Sequence, residues 1–99
     1  MTRWDAPLEK DIEAFFVRKC QAQGWRAEKF TSPARRSVPD RIVSKNDGTV
    51  FFAELKAPGK KPTAKQLDDH KRRQDMGFRV YVVSTTDEAT DVVSMESML

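Results

Sequence analysis

Asp40, Glu54 and Lys56 are the residues in this sequence whose types and spacing suit chemistry. Two runs rich in β-branched and aromatic residues, Arg41 to Ser44 and Thr49 to Leu55, flank Asn46-Asp47-Gly48, a strong local signal for a hairpin. With the turn centred near Asp47, an antiparallel ladder sets Asp40 opposite Glu54. Opposed residues have Cβ atoms about 4.5–5.5 Å apart, and like charges there repel. Lys56, two residues beyond Glu54, shares their face of the strand, but one positive charge cannot neutralise two carboxylates. A divalent cation would. Mg²⁺ binds through one or two carboxylates and fills its shell with water and phosphate oxygens, and such a site activates water against a phosphate.

Glu-x-Lys on a strand is usually a solvated charge pair. The reading therefore rests on Pro39-Asp40 preceding Glu54 at hairpin spacing, with apolar residues between them. A register slip of one residue would turn Asp40 to the opposite face and break it.

The elements that must position these groups follow from periodicity. Leu8, Ile12, Phe15, Phe16 and Cys20 recur at helical spacing and predict an amphipathic helix ending near Gly24. Cys20, on that apolar stripe, reads as a small buried hydrophobe. Glu9 and Glu13 lie on one flank of the helix, where a solvated face accounts for both. Glu13, between Ile12 and Phe16, borders the core and would approach Asp40 and Glu54 if the helix crosses the hairpin. Residues 1 to 6 read as loose, with Trp4 needing a contact in this subunit or another.

Trp25 to Thr31 reads as a first strand. The loop Ser32-Pro33-Ala34-Arg35-Arg36-Ser37 then carries two arginines suited to phosphate oxygens, with Arg41 and Lys45 close by. Ala57 to Pro62 is a second loop, barred from regular structure by two prolines and a glycine. Thr63 to Met76 is the next helix, stopped by Gly77. Thr63-x-x-Gln66 matches a capping box, and the alternative is that Gln66 orients a water or phosphate near Lys56. Lys65, Asp68, Asp69, Lys71, Arg72 and Arg73 give this helix a polar face. His70 sits among them, suited to DNA contact or plain exposure. Phe78 to Val83 is a strand apolar enough to be central. Asp87 to Met98 closes the chain as an acidic helix whose Val92, Val93, Met95 and Met98 would cover a sheet edge or meet a second subunit.

Ninety-nine residues, 33% of them charged, fit one small domain with a core of its own over residues 1 to 99. Lys56 to Gln74 holds seven Lys or Arg against two Asp, whereas Ser84 to Leu99 has four acids and no base. That asymmetry suits a polyanionic partner for the middle of the chain, or a solvated basic helix. A lone cysteine excludes an internal disulfide and a Cys-rich zinc site. Neither a membrane span nor a secretory signal is evident, and a cytoplasmic, soluble protein is expected.

The ordered set Glu13, Gly24, Val38-Pro39-Asp40-Arg41, Phe52-Ala53-Glu54-Leu55-Lys56-Ala57-Pro58-Gly59, Gln66 and Gly77-Phe78-Arg79-Val80 resembles the VRR-NUC domain family of the PD-(D/E)XK nuclease superfamily. The likeness spans nearly the whole chain. It departs at Ser37, where a glycine is expected before Val-Pro-Asp, which puts only the local loop shape in question. The resemblance implies an α/β, restriction endonuclease-like core: a central mixed sheet flanked by helices, in the order α-β-β-β-α-β with a short C-terminal helix. It implies metal-dependent hydrolysis of DNA phosphodiesters leaving a 5′-phosphate. Asp40, Glu54 and the Leu55 carbonyl would bind Mg²⁺ or Mn²⁺, with Glu13 reaching the metal directly or through water. Lys56 would position or activate the water, and Gln66 would assist.

Three functions compete. The first is a homodimeric, structure-specific endonuclease acting on branched DNA in the manner of a Holliday junction resolvase, since two symmetric cuts need two sites. The second is a nuclease for flaps, ends or nicks, working with a helicase encoded elsewhere. The third is a basic DNA-binding module whose acidic residues are structural. In each, Arg35, Arg36, Arg41, Lys60, Lys61, Lys65 and Arg72 are the expected contacts to the DNA backbone.

Overall fold

A computed structural model describes residues 8–99, so the readings of residues 1 to 6 and of Trp4 lie outside the described residues. The element order is α1 (Glu9–Ala22), β1 (Arg26–Lys29), β2 (Arg41–Ser44), β3 (Val50–Leu55), α2 (Ala64–Asp75), β4 (Arg79–Val83) and α3 (Thr86–Ser97). The four strands form one sheet in the order β1-β2-β3-β4. β1, β2 and β3 are antiparallel neighbours, and β4 runs parallel to β3 after the α2 crossover. The sheet is thus mixed and flanked by helices, as expected.

The hairpin that sets the site closes on the predicted turn. The amide of Lys45 donates to the Thr49 carbonyl at 2.9 Å, and Gly48 takes a φ of +85° that only glycine adopts without strain. Asp47 braces the turn by accepting from the amide and hydroxyl of Thr49 at 3.0 and 2.6 Å, bonds that hold its carboxyl below the usual range. The register pairs Arg41 with Ala53 and Ile42 with Phe52, which is the alignment that sets Asp40 across from Glu54.

Side-chain alternation along β3 divides the interior. Phe51, Ala53 and Leu55 join Ile12, Phe16 and Cys20 of α1, Val43 of β2 and Ala89, Val92 and Val93 of α3 in one apolar core. Cys20 is buried there, with its thiol pushed up to about 12, first by burial. Phe52 and Glu54 point to the other side, toward α2. Phe52 packs against Phe30 and Phe78 at ring separations of 5.6 and 5.4 Å. The Arg73 guanidinium lies 4.9 and 4.8 Å from the Phe30 and Phe52 ring centres and pairs with Asp69 at 2.8 Å.

Three sequence expectations are corrected here. β4 is an edge strand, not a central one: its outer side meets no strand among the described residues, and its apolar side chains pack against helices or remain half-exposed. Lys45 is buried rather than presented to phosphate; its Nζ donates to the Glu96 backbone carbonyl at 2.7 Å and to Oε1 at 3.1 Å. His70 and Asp69 are buried as well, on the inward face of α2.

Glu96, fully buried on α3, also accepts from Arg79 Nη2 at 2.9 Å and from the Tyr81 hydroxyl. Burial alone would raise its pKa, but the hydrogen bonds from Arg79, Tyr81 and Lys45 outweigh that and bring it down to about 2. Removing one partner of a buried ion cluster costs about 3–5 kcal/mol, because the buried cation is left unpaired. Glu96→Gln is therefore expected to lower the melting temperature by more than about 10 °C, measured by thermal unfolding at pH 7. Because the folded-state pKa is depressed, the stabilisation is present above the ordinary glutamate range and fades as pH falls toward 2. The variant should therefore lose pH dependence in that window.

Candidate active site

Asp40 stands at the entry to β2, tied to both neighbouring strands. Its backbone carbonyl accepts from the Phe30 amide at 2.9 Å, extending the β1–β2 ladder, and its Oδ2 accepts from the Leu55 amide at 2.7 Å. The preceding Val38 and Pro39 are buried and fix the chain's entry. Glu54, on β3, is only 1% exposed. Lys56 continues the same face, with Nζ 4.0 Å from Glu54 Oε2. The sheet thus brings Asp40, Glu54 and Lys56 together.

Helix α2 closes over Glu54. The capping-box reading of Gln66 holds, and the other end of its amide turns to Glu54. Oε1 accepts from the Thr63 amide at 2.9 Å while Thr63 Oγ1 accepts from the Gln66 amide at 3.2 Å, completing the capping box. Nε2 donates to Glu54 Oε2 at 3.2 Å. One turn later His70 Nε2 lies 3.4 Å from Glu54 Oε1. Burial draws the His70 imidazole below its ordinary pKa. It is thus neutral near pH 7 and meets Glu54 without adding a charge.

Burial first, and the Asp40 carboxylate second, push Glu54 up to about 8, with Lys56 opposing and Glu9 adding to the rise. Two carboxylates in a site short of positive charge are what a cation relieves. Among the described residues no group of three or more His, Cys, Asp or Glu side chains could hold a metal ion. A cation at Asp40 and Glu54 would have to complete its shell from the Leu55 carbonyl, water and substrate oxygens, which is the habit of Mg²⁺ and not of a closed zinc cage. The donor set fits a hard divalent ion.

Glu13 is placed elsewhere. Its Oε2 accepts from Arg41 Nε at 2.7 Å, with Lys29 Nζ at 3.9 Å. Arg41, paired with Ala53, lies on the α1 side of the sheet, opposite the face of Glu54. Glu9, one turn earlier, adds slightly to the rise at Glu54. The spacing of the two glutamates alone does not distinguish them; the competing Arg41 does. Because Arg41 also donates to the Ala27 carbonyl at 3.2 Å, its guanidinium is engaged inside the fold rather than offered to a backbone phosphate.

The other basic candidates ring the site. Arg35, Arg36 and Lys65 line a groove of about 610 Å³ between the 32–37 loop and the start of α2, with Gln66 on its wall. Arg35 and Arg36 also border a pocket of about 310 Å³ that reaches Asp40 and Phe30. Arg72 pairs with Asp68 at 3.0 Å and, with Arg35, edges a further depression. Lys60 and Lys61 are exposed on the loop leaving Lys56. No helix among the described residues is long and apolar enough to cross a membrane.

No family model matches the sequence. A solved structure of a VRR-NUC domain is similar at a TM-score of 0.82, covering 87% of this chain and 94% of that one at 25% identity. A curated protein of Acyrthosiphon pisum secondary endosymbiont phage 1, named "Putative nuclease p44", is 44% identical over 79 residues, 80% of this chain and 85% of its own. With the restriction endonuclease-like sheet, the paired carboxylates at its strand ends and this identity over most of both sequences, the chain belongs to the VRR-NUC family of nucleases.

Proposed function

We propose that this nuclease is a Mg²⁺- or Mn²⁺-dependent DNA endonuclease that cuts branched substrates, four-way junctions foremost, as a homodimer. The observation that carries the reading is the Asp40–Glu54 pair, with Asp40 on the wall of a pocket that Arg35 and Arg36 also line. Asp40, Glu54 and the Leu55 carbonyl would hold the cation. When bound, it lowers the pKa of its water and offsets charge on the phosphate.

The rest is done by the chain itself. Asp40 is held against the Leu55 amide, one residue beyond Glu54. Lys56 adds a fixed positive charge where negative charge grows during attack. Gln66, anchored at one end by Thr63, keeps Glu54 from rotating away. Arg35 and Arg36 grip the backbone in pairs of hydrogen bonds, and Lys60, Lys61, Lys65 and Arg72 widen the positive field. Glu13, paired with Arg41, ties α1 to β2.

One site cuts one strand, so resolution of a two-fold junction calls for two sites related by symmetry. The test is a panel of labelled four-way junction, flap, linear duplex and single-stranded DNA in Mg²⁺ or Mn²⁺. Paired symmetric cuts in the junction are expected. Cleavage confined to flaps or ends would move the function to end processing, and DNA binding without any turnover would leave only a binding module.

A further inference from the structure

We propose that His70 is a positioning residue for Glu54, holding the carboxylate oxygen that Gln66 leaves free. This rests on the reading of Asp40 and Glu54 as a metal site. His70 is 4% exposed, and its one side-chain hydrogen bond among the described residues is to Glu54. A polar ring is costly to bury unless it is hydrogen-bonded, and an apolar side chain would pack α2 onto the sheet without that requirement. The imidazole stands on the same face of α2 as Gln66, four residues on, so each oxygen of Glu54 has its own partner from one helix: Oε2 from Gln66 at 3.2 Å and Oε1 from His70 at 3.4 Å.

A carboxylate that ligates a cation is set in its rotamer by such outer contacts, and their loss typically costs about 10–100-fold in metal affinity. His70 is turned to Glu54 and is 4% exposed. It acts through Glu54.

The experiment is calorimetric titration of the full chain with Mn²⁺, without DNA, for wild type, His70→Leu, His70→Gln and Asp40→Asn, with thermal unfolding in the absence of metal as a fold check. Gln is the informative replacement because its terminal amide reaches about as far as the imidazole Nε2 and restores a donor. His70→Leu is expected to weaken Mn²⁺ binding at least about 10-fold, and His70→Gln to return it to within about 3-fold of wild type. Should His70→Leu unfold, His70→Asn, whose amide is too short to reach Glu54, takes its place with the same expected loss.

Wild-type affinity in the Leu or Asn variant would overturn the proposal. So would equal weakening in Gln and Leu, which is the mark of lost packing alone. Failure of the underlying site looks different: wild type that takes up no Mn²⁺, or Asp40→Asn that takes it up unchanged, would overturn the metal reading and this inference with it.

Discussion

Replacing Glu54 with Gln is expected to make the metal-free protein more stable at pH 8 while removing its nuclease activity. Glu54 is buried beside Asp40 and its pKa is raised to about 8, so the folded chain holds this proton more tightly than the unfolded chain does. The consequence has a definite sign. The stability tied to the proton is present below the ordinary glutamate pKa and is lost as pH rises toward 8, where folding either ionises a buried carboxylate or retains its proton against solvent. The amide of Gln carries no such penalty and can keep a partner on α2.

A gain of about 1 kcal/mol, or about 4–8 °C in melting temperature at pH 8, is expected, shrinking to nothing near pH 5. Activity in Mg²⁺ should fall by at least about 10³-fold, since the variant loses a charged ligand from a site that works by electrostatic stabilisation. Scanning calorimetry at the two pH values, beside a cleavage assay, reads both effects. A variant less stable than wild type at pH 8 would mean that Glu54 is a structural ion pair after all.

Lys56 separates an enzyme from a binding module. Its Nζ lies 4.0 Å from Glu54 Oε2, and its side chain is 16% exposed, a fixed charge beside that carboxylate. Lys56→Gln is expected to lower kcat about 10²–10³-fold. DNA affinity should fall only by the share of one phosphate contact, with the salt slope reduced by about one. Single-turnover cleavage and a salt-dependent binding series measure the two quantities. Unchanged turnover with a large loss of affinity would assign Lys56 to backbone binding alone.

The hairpin was legible because its signals are local: Asn46-Asp47-Gly48 fixes the turn, and the alternation of Val43, Phe51, Ala53 and Leu55 leaves one register that satisfies the core. The helices α1 and α3 were legible from apolar periodicity, through Ile12, Phe16 and Cys20 on one and Val92 and Val93 on the other, although Met95 and Met98 of the second stripe are exposed. Helix α2 was found but its inward face was not. The residues it turns to the sheet, Gln66, Asp69, His70 and Arg73, stand at the i, i+3, i+4, i+7 positions of a packing stripe, yet all four are polar. Leu67 and Met76, which hydropathy would bury, are exposed.

Only the carboxylate of Glu54 and the rings of Phe30 and Phe52 make that polar face the inner one, and these lie 12 or more residues away in sequence. The surroundings of Glu13 were hidden for a related reason. Both sit on one helix flank, and what occupies Glu13 is Arg41, 28 residues on. Lys45 likewise looked like a surface base until Glu96, 51 residues distant, enclosed it. Pairings between charges far apart in sequence leave no periodic trace.

The central claim, that Asp40 and Glu54 form a metal-dependent nuclease site, is tested most directly by single-turnover cleavage of an end-labelled four-way junction. Wild type and Asp40→Asn are compared in EDTA and again after Mn²⁺ is restored. No product is expected in EDTA, with full recovery of the wild type on adding Mn²⁺ and a rate for Asp40→Asn at least about 10³-fold slower with junction binding retained. Product formed in EDTA, or cleavage by Asp40→Asn at the wild-type rate, would contradict it.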